Sequence, residues 1–191
     1  MKLLEERILK DGKVLDGDVL KIDSFLNHQI DVRLMEELGK EIHNLFKQEK
    51  PTKILTIESS GIAVASEVSK EFGYLPVVYA KKTNASNMDG EKYSCQEKSY
   101  TRGVFYDVQV AKEFLNENDK VLIIDDFLAN GEASNALIEI CKQAKAEVVG
   151  CGIVVSKTYQ PGEERIKSLG IHLEVLARVK SMEDGKVAFE D

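Results

Sequence analysis

The sequence predicts an α/β fold in which helices flank a mostly parallel sheet. Three observations predict it. Val121-Leu122-Ile123-Ile124 is an unbroken aliphatic run that stops at Asp125-Asp126, and such a run reads as a central strand covered on both faces. Short apolar runs alternate with helix-forming stretches along the chain, the order of parallel strands joined by right-handed crossovers. The small-residue loop Ala129-Asn130-Gly131-Glu132-Ala133 follows the acid pair and opens a helix. That places polar groups at the carboxyl end of a strand, where open α/β sheets bind ligands.

The elements follow from local patterning. The opening MKLLEERILKDGK mixes acids into its apolar positions, which predicts an amphipathic helix rather than a signal peptide. Residues 32–47 carry Leu34, Met35, Leu38, Ile42, Leu45 and Phe46, one face of a helix. Residues 53–57 form a short buried-type strand. Glu58-Ser59-Ser60-Gly61 comes next, then a small-residue helix to about Phe72. Further strands are predicted at 76–80, 121–124 and 147–155, with a helix over 132–145. Residues 81–100 break the rhythm. They are polar, with Thr83, Asn84, Ser86, Asn87, Asp89 and Gly90, and turn strand-like near Tyr93 and Tyr100. A long polar excursion in a compact domain suits a mobile lid or a plain surface hairpin.

Composition narrows the function classes. The 191 residues suffice for one domain with a sizeable core. The formal net charge of −7 disfavours a large nucleic-acid surface, and no apolar run nears membrane-spanning length. Cys95, Cys141 and Cys151 have no paired spacing. They suit a reducing cytoplasm and suggest no zinc site. His28, His43 and His172 show no ligand spacing.

The acid pair and its loop offer two functions in one segment. Ionised carboxylates accept hydrogen bonds from sugar hydroxyls strongly. The N–H groups opening the helix attract an anion such as a phosphate. Two adjacent acids resist joint ionisation, so a neighbouring cation or donor is implied. Glu132 is an odd charge for a phosphate loop, and its side chain is expected to point outward. Ser134 either adds a hydroxyl or lies on the helix surface. Ser59 and Ser60 suit a diphosphate or a helix N-cap, and both readings can hold. Lys81 and Lys82 end a strand where an ammonium could meet leaving phosphate charge; either could equally be a solvated strand end.

This arrangement resembles the motif for 5-phosphoribosyl 1-diphosphate (PRPP) in the type I phosphoribosyltransferases. The likeness extends to Leu20–Asp31 (LKIDSFLNHQID), Thr56–Ile62 (TIESSGI) and Lys157–Gly162 (KTYQPG), which are similar to the bacterial xanthine phosphoribosyltransferases over nearly the whole chain. The resemblance implies a type I phosphoribosyltransferase fold as a single domain, 1–191. Residues 1–30 would contribute to a small N-terminal hood over the base, and 81–105 would form a flexible lid hairpin. It implies transfer of phosphoribose from PRPP to N9 of xanthine with release of diphosphate, aided by Mg2+, in a cytoplasmic homodimer. Asp125 and Asp126 would serve the ribose and the reaction. Residues 129–133, Ser59, Ser60, Lys81 and Lys82 would hold PRPP. Leu20, Asn27 and Lys157 would meet the base, and Ser99 and Tyr100 would belong to the lid. Phe25 and Tyr159 could pack near the base, though core packing is the simpler expectation for both. No direct, tight metal ligands are implied; Mg2+ would arrive with PRPP near Asp125 and Asp126. Many hypoxanthine-guanine relatives carry an acid where Ala129 stands. Two alternatives stay open: a guanine or hypoxanthine enzyme, and a non-catalytic regulator that senses PRPP.

Overall fold

The computed structural model describes residues 1–15, 18–82, 90–98 and 105–190. Among these, eight strands form one sheet in the order β10-β9-β8-β7-β3-β4-β6-β5. The strands are β3 (Lys53–Ile57), β4 (Val77–Lys82), β5 (Lys92–Lys98), β6 (Phe105–Ala111), β7 (Lys120–Leu128), β8 (Glu147–Lys157), β9 (Leu173–Ser181) and β10 (Ala188–Phe189). The five central strands, β9-β8-β7-β3-β4, pair in parallel, and the outer pairings are antiparallel. A separate hairpin joins β1 (Lys13–Leu15) to β2 (Val19–Lys21).

The aliphatic runs are buried on both faces, as a two-layer cover requires. Side chains alternate across a strand. Leu122 and Ile124 enter one core with Ile54 and Val154, while Val121 and Ile123 enter the other with Leu55 and Ile153. Helices α1 (Lys2–Asp11), α2 (Val32–Phe46) and α3 (Gly61–Glu71) cover the first face. Helices α4 (Glu132–Ala144) and α5 (Gly162–Ser168) cover the second. The predicted face of α2 is the buried one, through Leu34, Met35, Leu38, Ile42 and Phe46. Asp31 caps its start by accepting from the Leu34 N–H at 3.2 Å, a bond that holds the Asp31 carboxyl below its usual range.

Two strands run past their predicted ends, and both extensions matter. β7 continues through the acid pair to Leu128, and β8 continues to Lys157. The physical reason is pairing on one side only. β7 pairs with β3 no further than Ile123, yet stays paired with β8 to Leu128↔Ser156. β3 has β4 on one side and β7 on the other, so successive crossovers leave it in opposite directions. That is a topological switch point, where a ligand crevice opens.

Residues 173–181, assigned no element from the sequence, form β9, a strand parallel to β8. The Met1 amine bonds the Leu176 carbonyl oxygen of that strand, which seats the start of α1 on β9. No helix among the described residues is long and apolar enough to cross a membrane.

Candidate active site

The crevice lies where β3 and β7 part. Asp125 and Asp126 stand beyond the last β3–β7 pairing. Neighbouring strand residues face opposite ways, so the two acids have different surroundings. Asp125 is 3% exposed, and its Oδ1 accepts the Asp126 N–H at 3.0 Å. Burial, then the charge of Asp126 beside it, push the Asp125 carboxyl well above the usual carboxylate range; the Lys82 ammonium pulls the other way. The two acids are therefore not an equal pair of ionised acceptors in the ligand-free protein. Asp126 is the accessible member, and its Oδ2 accepts from Asn27 Nδ2 at 3.1 Å.

The loop after β7 is shaped by close backbone approach. Gly131 has φ +89°, in the left-handed region, and a Cβ there would lie 3.2 Å from the Gly162 Cα. Glycine at this position begins α4 without any side-chain cap. The first N–H groups of a helix have no helical partner, so this end faces an anion with donors and the positive end of the dipole. The start of α5 braces the loop from behind. The Gly162 N–H donates to the Ala129 carbonyl at 3.0 Å, and Arg165 Nη1 donates to the Asn130 carbonyl at 2.9 Å. Glu132 meets Arg165 at 3.4 Å, so its side chain turns to α5 and leaves the loop mouth clear. Ala133 is half-buried in the first turn of α4, against the second core. Ser134 is buried against the second face of the sheet, neither a helix-surface residue nor a group open to a phosphate.

Across the crevice, Glu58-Ser59-Ser60 links β3 to α3 and contains a cis peptide between Glu58 and Ser59. Ser59 is exposed, and Ser60 takes the N-cap position without a side-chain cap bond. Among the described residues neither hydroxyl has a hydrogen-bond partner. Glu58 ties the loop to β4, accepting the Lys82 N–H at 2.6 Å. Gly61 permits α3 to press against β7, because a Cβ there would sit 2.3 Å from Thr56 Oγ1 and 3.4 Å from Asp125 Oδ1.

Strand alternation separates the two lysines. Lys82 lies 5.8 Å from the Tyr106 ring centroid and within the field of Asp125. Lys81 instead lines a groove with Val77, Tyr79 and Gln109. The pair seen in the sequence is thus not a pair in space. Ser99 and Tyr100 lie outside the described residues. The strands around them, β5 and β6, form an antiparallel hairpin. Gln143 of α4 anchors it, donating to the Ser94 carbonyl at 2.9 Å and accepting the Ser94 N–H at 3.2 Å.

On the remaining side stand Leu20, Asn27 and Lys157. Leu20 is buried in β2, opposite Val14. Asn27 ends a short π-helical turn, Asp23–Asn27, and is exposed. Lys157 ends β8; its side chain is 12% exposed and pairs with Asp18 Oδ2 at 3.6 Å. Phe25 is fully buried with Arg7 over its ring at 5.1 Å. Tyr159 is surface-exposed and donates its hydroxyl to Asp18 Oδ1 at 2.6 Å. Phe25 is thus a core residue, whereas Tyr159, expected to pack in the core, is at the surface because its hydroxyl is held by Asp18. Asp18, Arg165 and Glu163 were not foreseen. No local pattern marks Asp18 and Arg165, because each acts on a segment distant in sequence, and Glu163 gathers partners from β8, α5 and β9.

Three comparisons bear on this geometry. Residues 21–180 match the phosphoribosyl transferase domain family. The chain is 49% identical, over the full length of both chains, to a Clostridium perfringens protein named xanthine phosphoribosyltransferase 1. It is 51% identical to the Clostridium novyi protein named xanthine phosphoribosyltransferase, again over both full lengths. Among solved structures, adenine phosphoribosyltransferase from Giardia lamblia with 9-deazaadenine superposes with a TM-score of 0.79 at 21% identity, covering 93% of this chain and 98% of that one. The enzyme from Rhodothermus marinus gives 0.74 at 20% identity, covering 94% and 100%. At those identities the structural likeness speaks for the fold. An acid pair at a sheet switch point, an uncapped helix start behind it and a family match over most of the sequence agree: the chain belongs to the phosphoribosyl transferase domain family.

Proposed function

We propose that this protein transfers the 5-phosphoribosyl group from PRPP to N9 of xanthine, giving xanthosine monophosphate and diphosphate in purine salvage. The observation that carries the reading is full-length identity of about half to proteins named for that activity; the acid pair and uncapped helix start at the switch point support it. In this reading 1–191 is one catalytic domain, with 1–30 contributing to the hood and 81–105 to the lid.

In the reaction the C1–O bond of PRPP breaks and its electron pair leaves with diphosphate. The N9–C1 bond forms, and the base gives up its N9 proton. The transition state places positive charge on the ribose, so catalysis is positioning and electrostatics. Asp126 accepts a ribose hydroxyl and lends negative charge to the sugar, and Asp125 backs it from beneath. The backbone of residues 129–133 holds the 5′-phosphate. Ser59 and Ser60 meet the diphosphate, and Lys82 faces the charge that develops on it. Lys81, turned to the other face, is the weakest member of this set. Lys157 donates to an exocyclic oxygen of the purine, which favours oxopurines over adenine. Asn27 offers a donor and an acceptor for the second oxo group. Ser99 and Tyr100 complete the set as lid residues.

Mg2+ fits the donor chemistry. No group of three or more His, Cys, Asp or Glu among the described residues could hold a metal alone, and Mg2+ commonly uses one or two carboxylates plus substrate phosphates. Asp126, with Asp125 behind it, would complete a shell made mostly of PRPP oxygens. Bound there, the ion would neutralise charge on the departing diphosphate. A cytoplasmic setting suits the three free thiols, and a homodimer rests on the family resemblance.

A product assay with PRPP and Mg2+ tests the reading, offering xanthine, guanine, hypoxanthine and adenine separately. Fastest nucleotide formation from xanthine is expected. Faster turnover of guanine or hypoxanthine would overturn the base assignment and leave the PRPP site standing. PRPP binding without turnover of any base would replace the enzyme with a regulator.

A further inference from the structure

The turn of the β1–β2 hairpin brings one carboxylate onto three side chains of a distant loop. Asp18 Oδ1 accepts the Tyr159 hydroxyl at 2.6 Å, and Oδ2 accepts Gln160 Nε2 at 3.0 Å. The Lys157 ammonium bonds the Asp18 carbonyl oxygen and lies 3.6 Å from Oδ2. Asp18 thus holds Lys157, Tyr159 and Gln160 at once, across a sequence separation of about 140 residues. The described part of the hairpin otherwise rests on the first core through Leu20 and the half-buried Val14. β1 and β2 are three residues each and pair only with one another, and a two-stranded hairpin alone is marginal in water.

We propose that Asp18 is a positioning residue for base binding. It pins the hairpin over the crevice, which sets Leu20, and it orients the ammonium of Lys157 towards the base. The proposal rests on the reading of Leu20 and Lys157 as base contacts. Hydrogen bonds to charged groups are directional and stronger than neutral ones. Losing the Asp18 carboxylate therefore removes the ties to Tyr159 and Gln160 and the ion pair to Lys157, and leaves the lysine only its bond to the main-chain carbonyl.

The test compares wild type with Asp18→Ala, Asp18→Asn and Lys157→Ala. KM for xanthine and for PRPP, kcat at saturation, and amide hydrogen exchange over residues 13–21 without substrate are measured for each. For Asp18→Ala the xanthine KM is expected to rise about 10–100-fold. PRPP KM and the thermal midpoint should stay unchanged, and exchange in the hairpin should quicken. Asp18→Asn keeps an acceptor for Tyr159 and should fall between. An unchanged or lowered xanthine KM in Asp18→Ala overturns the proposal, whatever the exchange shows. A rise in both KM values overturns it too, since general loosening moves both. If Lys157→Ala leaves the xanthine KM unchanged while Asp18→Ala raises it, the reading of Lys157 fails and the hairpin, through Leu20, carries the proposal alone.

Discussion

The proposed phosphate side and the proposed base side of the crevice are built by opposite means. The phosphate side is one unbroken stretch, 125–134, in which strand, acids, loop and helix start follow in order. Its surroundings are core: Asp125 and Ser134 are buried and Gly131 is packed on Gly162. The base side gathers Asp18, Asn27, Asp126 and Lys157 from remote segments, through polar contacts near the surface. A site built into the core holds its groups by packing, and burial keeps the Asp125 carboxyl from ionising readily. A site held by polar ties is adjustable, and its geometry depends on each tie.

The sharpest way to break this contrast is Gly131→Val. The left-handed φ disfavours any Cβ, and the new side chain meets the Gly162 backbone. A cost of about 1–3 kcal/mol in stability is expected, with kcat/KM for PRPP lower by about 100-fold or more as the loop is displaced. Denaturant unfolding and steady-state kinetics measure the two effects. If PRPP kinetics stay near wild type, the loop does not hold the phosphate as proposed.

Asp125→Asn separates stability from activity within the same cradle. Burial and Asp126 raise the Asp125 carboxyl in the folded state. A raised group supports folding fully below its unfolded value near 4, and that support is lost as pH rises through the raised value. Replacing it should therefore help most at higher pH. The thermal midpoint is expected to rise by about 2–4 °C at pH 8, for roughly 1 kcal/mol relieved, with no gain near pH 4. kcat/KM should drop about tenfold or more. A lower midpoint at pH 8 would mean that the buried carboxyl is well satisfied after all.

The smallest effect is expected where the two sides join. Glu163, on α5, accepts from Ser156 at 2.6 Å, Lys167 at 2.8 Å and Arg178 at 3.2 Å. Burial raises its carboxyl, but these partners prevail and hold it below its ordinary value. Such a group stabilises the fold above its unfolded value near 4.5, and the contribution fades as pH falls through the lowered folded value. Glu163→Gln should cost about 1 kcal/mol at pH 7, and the difference from wild type should shrink below pH 4. A gap that persists in acid would point to packing instead of charge.

Much of the fold was legible because its signals are local. The Val121–Ile124 run could only be satisfied by cover on both faces, and the α2 pattern by one buried face. Gly131 after an acid pair announced a loop needing close approach. β9 went unassigned although Leu173, Val175, Ala177 and Val179 alternate with Glu174, Arg178 and Lys180; Leu176 interrupts the pattern, and only pairing with β8 fixes the segment as a strand. The unequal burial of Asp125 and Asp126 was latent in the period-two geometry of a strand, yet only a β7 that outruns β3 puts the acids inside it. The same alternation divides Lys81 from Lys82.

The sequence by itself determined the α/β class, the acid-and-loop cradle and the family resemblance, since each is written in neighbouring residues whose physics acts over one strand or one turn. Tertiary structure alone decided which acid is reachable, that Lys82 and not Lys81 lies in the field of Asp125, and that Asp18 holds Lys157. Those outcomes depend on which distant segments pack together, and burial and electrostatic partnership are properties of that packing.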